Sequence, residues 1–213
     1  TGFKGSWLSL WLQKLGAEVC GFALEPSTSP SLFLDAEVGK HMESIIGDVR
    51  DFDLVSSSME KFKPDIVLHM AAQPLVRESY SDPVGTFSIN VVGTAAVLAA
   101  ALKVGSVKSI VNVTTDKCYE NKEWEWAYRE NEPLGGHDPY SSSKACSELV
   151  TNSFRLSFFN DLCIGVATAR AGNVIGGGDW SMDRIIPDTL LAFEKETSLG
   201  VRNPLSIRPW QHV

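Results

Sequence analysis

The sequence predicts an α/β fold built on a doubly wound parallel sheet, and three observations carry that prediction. Short apolar, β-branched runs alternate with segments whose apolar residues recur at helical spacing, the pattern of βαβ units. A glycine pair, Gly2 and Gly5, opens the first helical segment, where a phosphate-binding turn belongs. Hydroxyl, carboxylate and amine side chains gather just after the apolar runs, at the sheet edge where open α/β folds bind ligands.

Each element follows from the residues in turn. Leu8, Trp11, Leu12 and Leu15 recur at helical spacing and predict a helix over 6–15. Residues 18–24 read as a strand, and a short strand around Ile45 and Ile46 ends at Gly47-Asp48. An amphipathic helix is expected over 52–62, stopped by Pro64, with Asp51 suited to cap it. A compact apolar strand follows at 65–70. Asp82-Pro83 opens a long helix to about residue 103, and 109–114 form another buried strand. A helix is expected over 139–158 and a last strand over 163–168. After Ala171 glycine, proline and tryptophan become frequent and the periodicity loosens. The expected division is therefore a ligand-binding α/β domain over 1–171 and the beginning of a second, substrate-contacting region over 172–213. A phosphate loop needs a strand before it to aim it, and here the loop begins at residue 1. The sheet is thus expected to lack its first strand. With no initiator Met and an ending at Pro209-Trp210-Gln211-His212-Val213, the chain reads as an internal piece of a longer one.

Composition narrows the function. The 213 residues are 44% apolar and 21% charged, ordinary for a globular chain. A net charge of -7 and a pI near 5.1 argue against a nucleic-acid partner, which needs a broad basic surface. Cys20, Cys118, Cys146 and Cys163 form no C-x-x-C pair, and no His/Cys cluster has zinc spacing, so no metal is expected. They read as reduced thiols of a cytoplasmic protein. No signal peptide is visible, and the most apolar stretch, 91–102, is shorter than the roughly 20 residues a membrane span needs. No membrane association is expected.

The motifs point to acid–base chemistry beside a phosphate-bearing ligand. Gly2-x-x-Gly5 lets the backbone approach a pyrophosphate, whose charge a helix N-terminus stabilises. Asp48 ends its strand on the ligand-binding edge and is read as an adenine contact, with helix capping as its other use. His69 is read as a satisfied core histidine, while Ala71 and Ala72 are small enough for a cofactor to lie against the backbone. Thr115-Asp116-Lys117 places three reactive side chains after the next strand. Tyr140 and Lys144, four apart, share one helical face, and the ammonium can lower the pKa of the phenol so that it acts as a base. A lone Y-x-x-x-K is common by chance, but here it follows a strand ending in Thr-Thr-Asp within an ordered βαβ array. Arg208 suits a bidentate grip on phosphate, or is simply a surface arginine.

Together these stretches resemble the extended short-chain dehydrogenase/reductase family over essentially the whole chain, and within it the branch acting on CDP-glucose. Thr1-Gly2-Phe3-Lys4-Gly5-Ser6-Trp7 is similar to the family's phosphate loop without its first glycine. Thr115-Asp116-Lys117 resembles the segment where dTDP-glucose dehydratases carry Thr-Asp-Glu, and Lys117 is the most discriminating residue. Gly172–Trp180 and Arg208–Val213 are similar to stretches of the CDP-glucose branch. The resemblance implies a Rossmann-type domain with bound NAD, held by Gly2, Phe3, Gly5, Asp48, Val49, Ala71, Ala72, Tyr140 and Lys144. NAD rather than NADP rests on the resemblance alone, because no Asp ends the second strand, although Glu25 is near. The implied reaction is transient oxidation at C4 of CDP-glucose, loss of water across C5–C6 and return of the hydride to C6. Tyr140 would take the C4 hydroxyl proton, Thr115 would bond the C4 oxygen, and Lys144 would hold the ribose. Asp116 would protonate the leaving hydroxyl, and Lys117 would be either the C5 base or a stabiliser of the enolate. Asn173, Arg184 and Arg208 are the implied substrate contacts. A homodimer is also implied, through the long helix and the one bearing Tyr140. Another epimerase, dehydratase or reductase of the family would use the same Tyr and Lys. A non-catalytic binding module derived from such an enzyme would not need Thr115, Tyr140 and Lys144 intact.

Overall fold

The computed structural model describes residues 1–213. In chain order the first elements are α1 (Phe3–Lys14), β1 (Cys20–Ala23), α2 (Leu32–Asp35), β2 (Glu43–Ile46), α3 (Phe52–Phe62) and β3 (Ile66–His69). There follow α4 (Val76–Ser81), α5 (Pro83–Phe87), α6 (Gly93–Val104), β4 (Ser109–Val113) and α7 (Pro139–Phe154). The last are β5 (Gly165–Ala169), β6 (Asn173–Ile175), α8 (Ile185–Glu194) and β7 (Trp210–His212). Every pair of these strands is parallel, as helix-crossed βαβ units require. The chain falls into two units, Thr1–Ile46 with Gly172–Val213, and Gly47–Ala171.

In the first unit α1 starts at the glycine turn itself, three residues before the expected start, with extended Gly2 as its N-cap. It closes at Gly16, whose φ of +85° is the left-handed conformation that favours glycine after a helix. β1 pairs with β2 from Cys20↔Glu43 to Ala23↔Ile46. The stretch after Ala171, expected to be loose, contains the β6–β7 pair and α8. Strands of three residues leave no readable alternation. Tertiary contact sets this pair: a Cβ on Gly172 would lie 2.8 Å from Pro209 Cγ, so the two segments meet only because residue 172 is glycine.

The second unit is a β3–β4–β5 sheet with the long helix ending in α6 and with α7 packed on it, and α3 packs against α6. Its apolar core is Leu98, Ala101, Val107, Ile110 and Phe159, all nearly inaccessible to solvent. β1 pairs with β2 alone, and β3 with β4 alone.

Two helices differ from their expected form. The one beginning at Pro83 is continuous to Val104 but widens into a π-turn at Ser88–Val92, where buried Asn90 turns inward. Counted through that turn it has 22 residues, enough by length and composition to cross a membrane, which corrects the length argument drawn from the shorter apolar stretch. Here Leu98 and Ala101 of this helix form the core of an α/β unit. α7 likewise runs into a π-turn, Arg155–Phe159, and Cys163 then adopts a φ of +55°. The last strand of the unit consequently starts at Gly165 rather than at residue 163.

Candidate active site

Backbone hydrogen bonds carry β4 past its last residue. Thr114 N donates to Ala169 O (2.8 Å) and Asp116 N to Ala171 O (2.9 Å), which fixes the peptides on both sides of Thr115. A 3₁₀ turn, Asp116–Cys118, follows, with Thr115 as its cap. Thr115 Oγ1 donates to Asp116 Oδ1 (3.0 Å), and Lys117 Nζ donates to the same oxygen (3.2 Å). The three residues expected to work together therefore form one hydrogen-bonded cluster around a single carboxylate. Cys118, next in line, is fully buried, and burial pushes its thiol up to about 12, so no nucleophilic thiolate is present there.

α7 brings the remaining two residues. Asp138 caps it, accepting from Ser141 N (2.9 Å) and Ser141 Oγ (2.6 Å), and Pro139 stands in its first turn. Tyr140 and Lys144 lie in the first two turns and are 8% and 5% exposed. Lys144 Nζ donates to Val113 O (3.2 Å), tying the helix to the end of β4. All five expected catalytic residues belong to the second unit.

A buried polar layer lies between α7, β3, β4 and the long helix. Asn90 Oδ1 accepts from Gln73 N (2.9 Å), and its Nδ2 donates to Gln73 O (3.1 Å) and Ser143 Oγ (2.8 Å). Thr94 Oγ1 lies 2.9 Å from Ser147 Oγ, which accepts from Asn112 Nδ2 (2.9 Å). His69 Nε2 lies 3.0 Å from Thr94 Oγ1, so His69 is the satisfied core histidine the sequence favours. Through Asn90 this layer also fixes the loop after Ala71 and Ala72.

The expected cofactor residues are distributed over both units. In the first, the N-terminus of α1 has no side-chain cap and no acidic residue in its first turn, and a Cβ at Gly2 or Gly5 would meet nothing within 4 Å. Open, uncapped amides of this kind suit a pyrophosphate. Phe3 is the first residue of that helix. In the second unit Asp48 is gripped by Arg50, whose Nε donates to Oδ1 (2.9 Å) and Nη2 to Oδ2 (2.5 Å). These bonds hold the Asp48 carboxyl below its ordinary pKa. Val49 is buried, and its Cγ1 lies 2.6 Å from where a Cβ on Gly93 would stand, so its side chain packs on α6.

The expected substrate residues belong to the first unit. Asn173 opens β6, and Arg184 precedes α8, its Nη1 bonded to buried Asp179 Oδ2 (2.9 Å). Arg208 is exposed just before β7. No group of three or more His, Cys, Asp or Glu residues is arranged to hold a metal. Sequence reasoning missed Arg50, Asn90, Glu148 and Arg170. For Glu148 a signal existed, since it lies four residues beyond Lys144 and eight beyond Tyr140 on the same helical face.

Comparison with known proteins adds three findings. The family profile described as GDP-mannose 4,6 dehydratase matches residues 1–213. The chain is 58% identical over its whole length to the CDP-glucose 4,6-dehydratase of Salmonella typhimurium, covering 61% of that protein. It is 36% identical, over 78% of its length, to a dTDP-glucose 4,6-dehydratase of Streptomyces antibioticus, covering 48% of it. Thus the chain spans about half to three fifths of the length of these relatives. Among solved structures, the dTDP-glucose 4,6-dehydratase of Streptomyces venezuelae with NAD bound superposes with a TM-score of 0.85 at 24% identity, over 99% of this chain and 65% of that one. A UDP-glucose 4-epimerase from Thermotoga maritima gives 0.87 at 18% identity, over 99% and 66%. Both show the same Rossmann-type fold.

Proposed function

The chain belongs to the GDP-mannose 4,6-dehydratase family, and on that premise we propose that it serves a nucleotide-sugar 4,6-dehydratase converting CDP-glucose to CDP-4-dehydro-6-deoxyglucose. The observation that carries the reading is the cluster of Thr115, Asp116 and Lys117 at the end of β4, with the Tyr140–Lys144 helix tied to that same strand end. An epimerase or reductase of the family has no use for the Asp-Lys pair. NAD, when bound, supplies a reversible hydride acceptor for C4. Tyr140 removes the C4 hydroxyl proton, and Thr115 hydrogen-bonds the C4 oxygen as it becomes a carbonyl. Lys144 holds the cofactor ribose and, by its charge, favours the phenolate. Asp116 delivers a proton to the C6 hydroxyl as it leaves. Lys117 passes its ammonium proton to Asp116 along their hydrogen bond, which is the proton Asp116 gives to the leaving hydroxyl, and the resulting neutral amine takes the C5 proton, so the pair ends again as ammonium and carboxylate. Gly2, Phe3 and Gly5 are assigned to the cofactor pyrophosphate, and Asp48, Val49, Ala71 and Ala72 to its adenosine side. Asn173, Arg184 and Arg208 are assigned to the nucleotide sugar.

In this reading residues 1–171 are the cofactor-binding domain and 172–213 begin the substrate region. The four cysteines are all free, which fits a cytoplasmic enzyme. The test is incubation with CDP-, dTDP- and GDP-glucose in the presence of NAD. The 4-keto product should form from CDP-glucose far faster than from the others. Tyr140→Phe should lower kcat about 100-fold or more with NAD affinity unchanged, since only proton transfer is removed. Near-normal turnover in that variant would refute the assignment.

A further inference from the structure

Glu148 lies on α7 one turn beyond Lys144, with its side chain 5% exposed, and its carboxylate gathers partners from β4, β5 and beyond. Oε1 accepts from Thr114 Oγ1 (2.5 Å) and Arg170 Nε (2.9 Å). Oε2 accepts from Thr168 Oγ1 (2.8 Å) and Arg170 Nη2 (3.1 Å). Arg170 reaches further, with Nη1 donating to Glu130 O (3.1 Å) and the guanidinium 4.7 Å from the Tyr119 ring centroid. Burial pushes the Glu148 carboxyl up, but the bonds from Arg170, Thr114 and Thr168 outweigh it and hold it below its ordinary value. The group is a buried, ionised pair partner.

A buried ion pair is seldom more stabilising than apolar packing of the same volume. Bidentate guanidinium–carboxylate contact does supply a fixed geometry. Two ties join α7 to consecutive residues of the strand end, Lys144 to Val113 and Glu148 to Thr114, and the next residue is Thr115. Arg170 itself stands between Ala169 and Ala171, whose carbonyls take the amides of Thr114 and Asp116. The peptides flanking Thr115 are therefore anchored by one assembly centred on Glu148. We propose that Glu148 is a positioning residue, which through Thr114 and Arg170 sets the Thr115 hydroxyl against the helix carrying Tyr140 and Lys144.

The kinetic consequence rests on the dehydratase reading, whereas the structural one does not. Hydrogen exchange of the Thr114 and Asp116 amides is compared between the wild type and Glu148→Gln, which keeps the shape and removes the charge. Exchange there should be at least ten-fold faster, while Leu98 and Ala101 amides change less than two-fold. Thr114→Val leaves the ion pair in place and gives the same readout should Glu148→Gln not fold. In turnover of CDP-glucose, Thr114→Val should lower kcat at least ten-fold with KM within two-fold. Thr168→Val removes an equal bond to the same carboxylate and should cost at least five-fold less. Equal losses from the two threonine variants, or unchanged exchange at Thr114 and Asp116, would overturn the proposal. A wild type that turns over no nucleotide sugar would refute the dehydratase reading, and the exchange comparison would still decide the role of Glu148.

Discussion

His69 shows how much a single side chain owes to its neighbours. Thr94 Oγ1 donates its one proton to Asn90 O (2.7 Å), so it can only accept from His69, and the ring carries its proton on Nε2. Burial, with the nearby Lys144 charge, lowers its pKa from 6.5 to about 3. The folded state therefore resists a proton that the unfolded chain accepts. That contribution is complete above about pH 6.5 and is lost progressively as the pH falls towards 3. Between pH 7 and pH 5 the expected loss is about 2 kcal/mol, at about 1.36 kcal/mol per unit. Urea titrations at the two pH values measure it, and His69→Gln should remove most of the difference. A wild type equally stable at both would contradict the buried neutral ring. The sequence reading reached the right role for His69 from its place after an apolar run. It missed the pairing of Glu148 with Arg170, because nothing in a linear string marks two charges 22 residues apart as partners.

Among the elements, those that matched best have local stop and start signals. α3 spans the expected residues because Asp51 caps it, accepting from Leu54 N (3.0 Å), and Pro64 ends the segment. α7 starts where Asp138 and Pro139 place it. The cap matters for chemistry as well as stability, since Tyr140 is the second helical residue. Asp138→Ala should cost about 1 kcal/mol of unfolding free energy, the usual worth of such a cap, with Asp138→Asn costing less than half of that. Chemical denaturation resolves the two, and an alanine variant as stable as the wild type would refute the capping role. The π-turns at Ser88–Val92 and Arg155–Phe159 were invisible in the sequence. What selects the first of them is the contact of Asn90 with the Gln73 backbone.

At the scale of the whole molecule, the second unit exposes apolar side chains on the helices expected to associate. Val84 is 79% exposed, Val92 56%, Leu149 58% and Leu156 60%. Water-facing residues of this kind on two neighbouring helices fit a four-helix interface between two copies. We therefore expect a homodimer, with the scattering mass of two chains at micromolar concentration. Leu149→Glu should shift it towards monomer without lowering the melting temperature. A monomeric wild type would refute the interface.

By itself the sequence determined the α/β class, the succession of parallel strands along the chain and the placing of Thr115, Asp116 and Lys117 together just after one of them. Those depend on local pattern: β-branched runs, helical periodicity, caps, and Tyr and Lys four apart. Only the tertiary structure decided which polar groups share which partners. The Asp116 carboxylate is shared by Thr115 and Lys117, Asp48 is occupied by Arg50, and Glu148 is surrounded by Thr114, Thr168 and Arg170. The physical reason is that buried polar atoms must be paired wherever the fold brings donors and acceptors together, and that meeting depends on packing between segments distant in the chain.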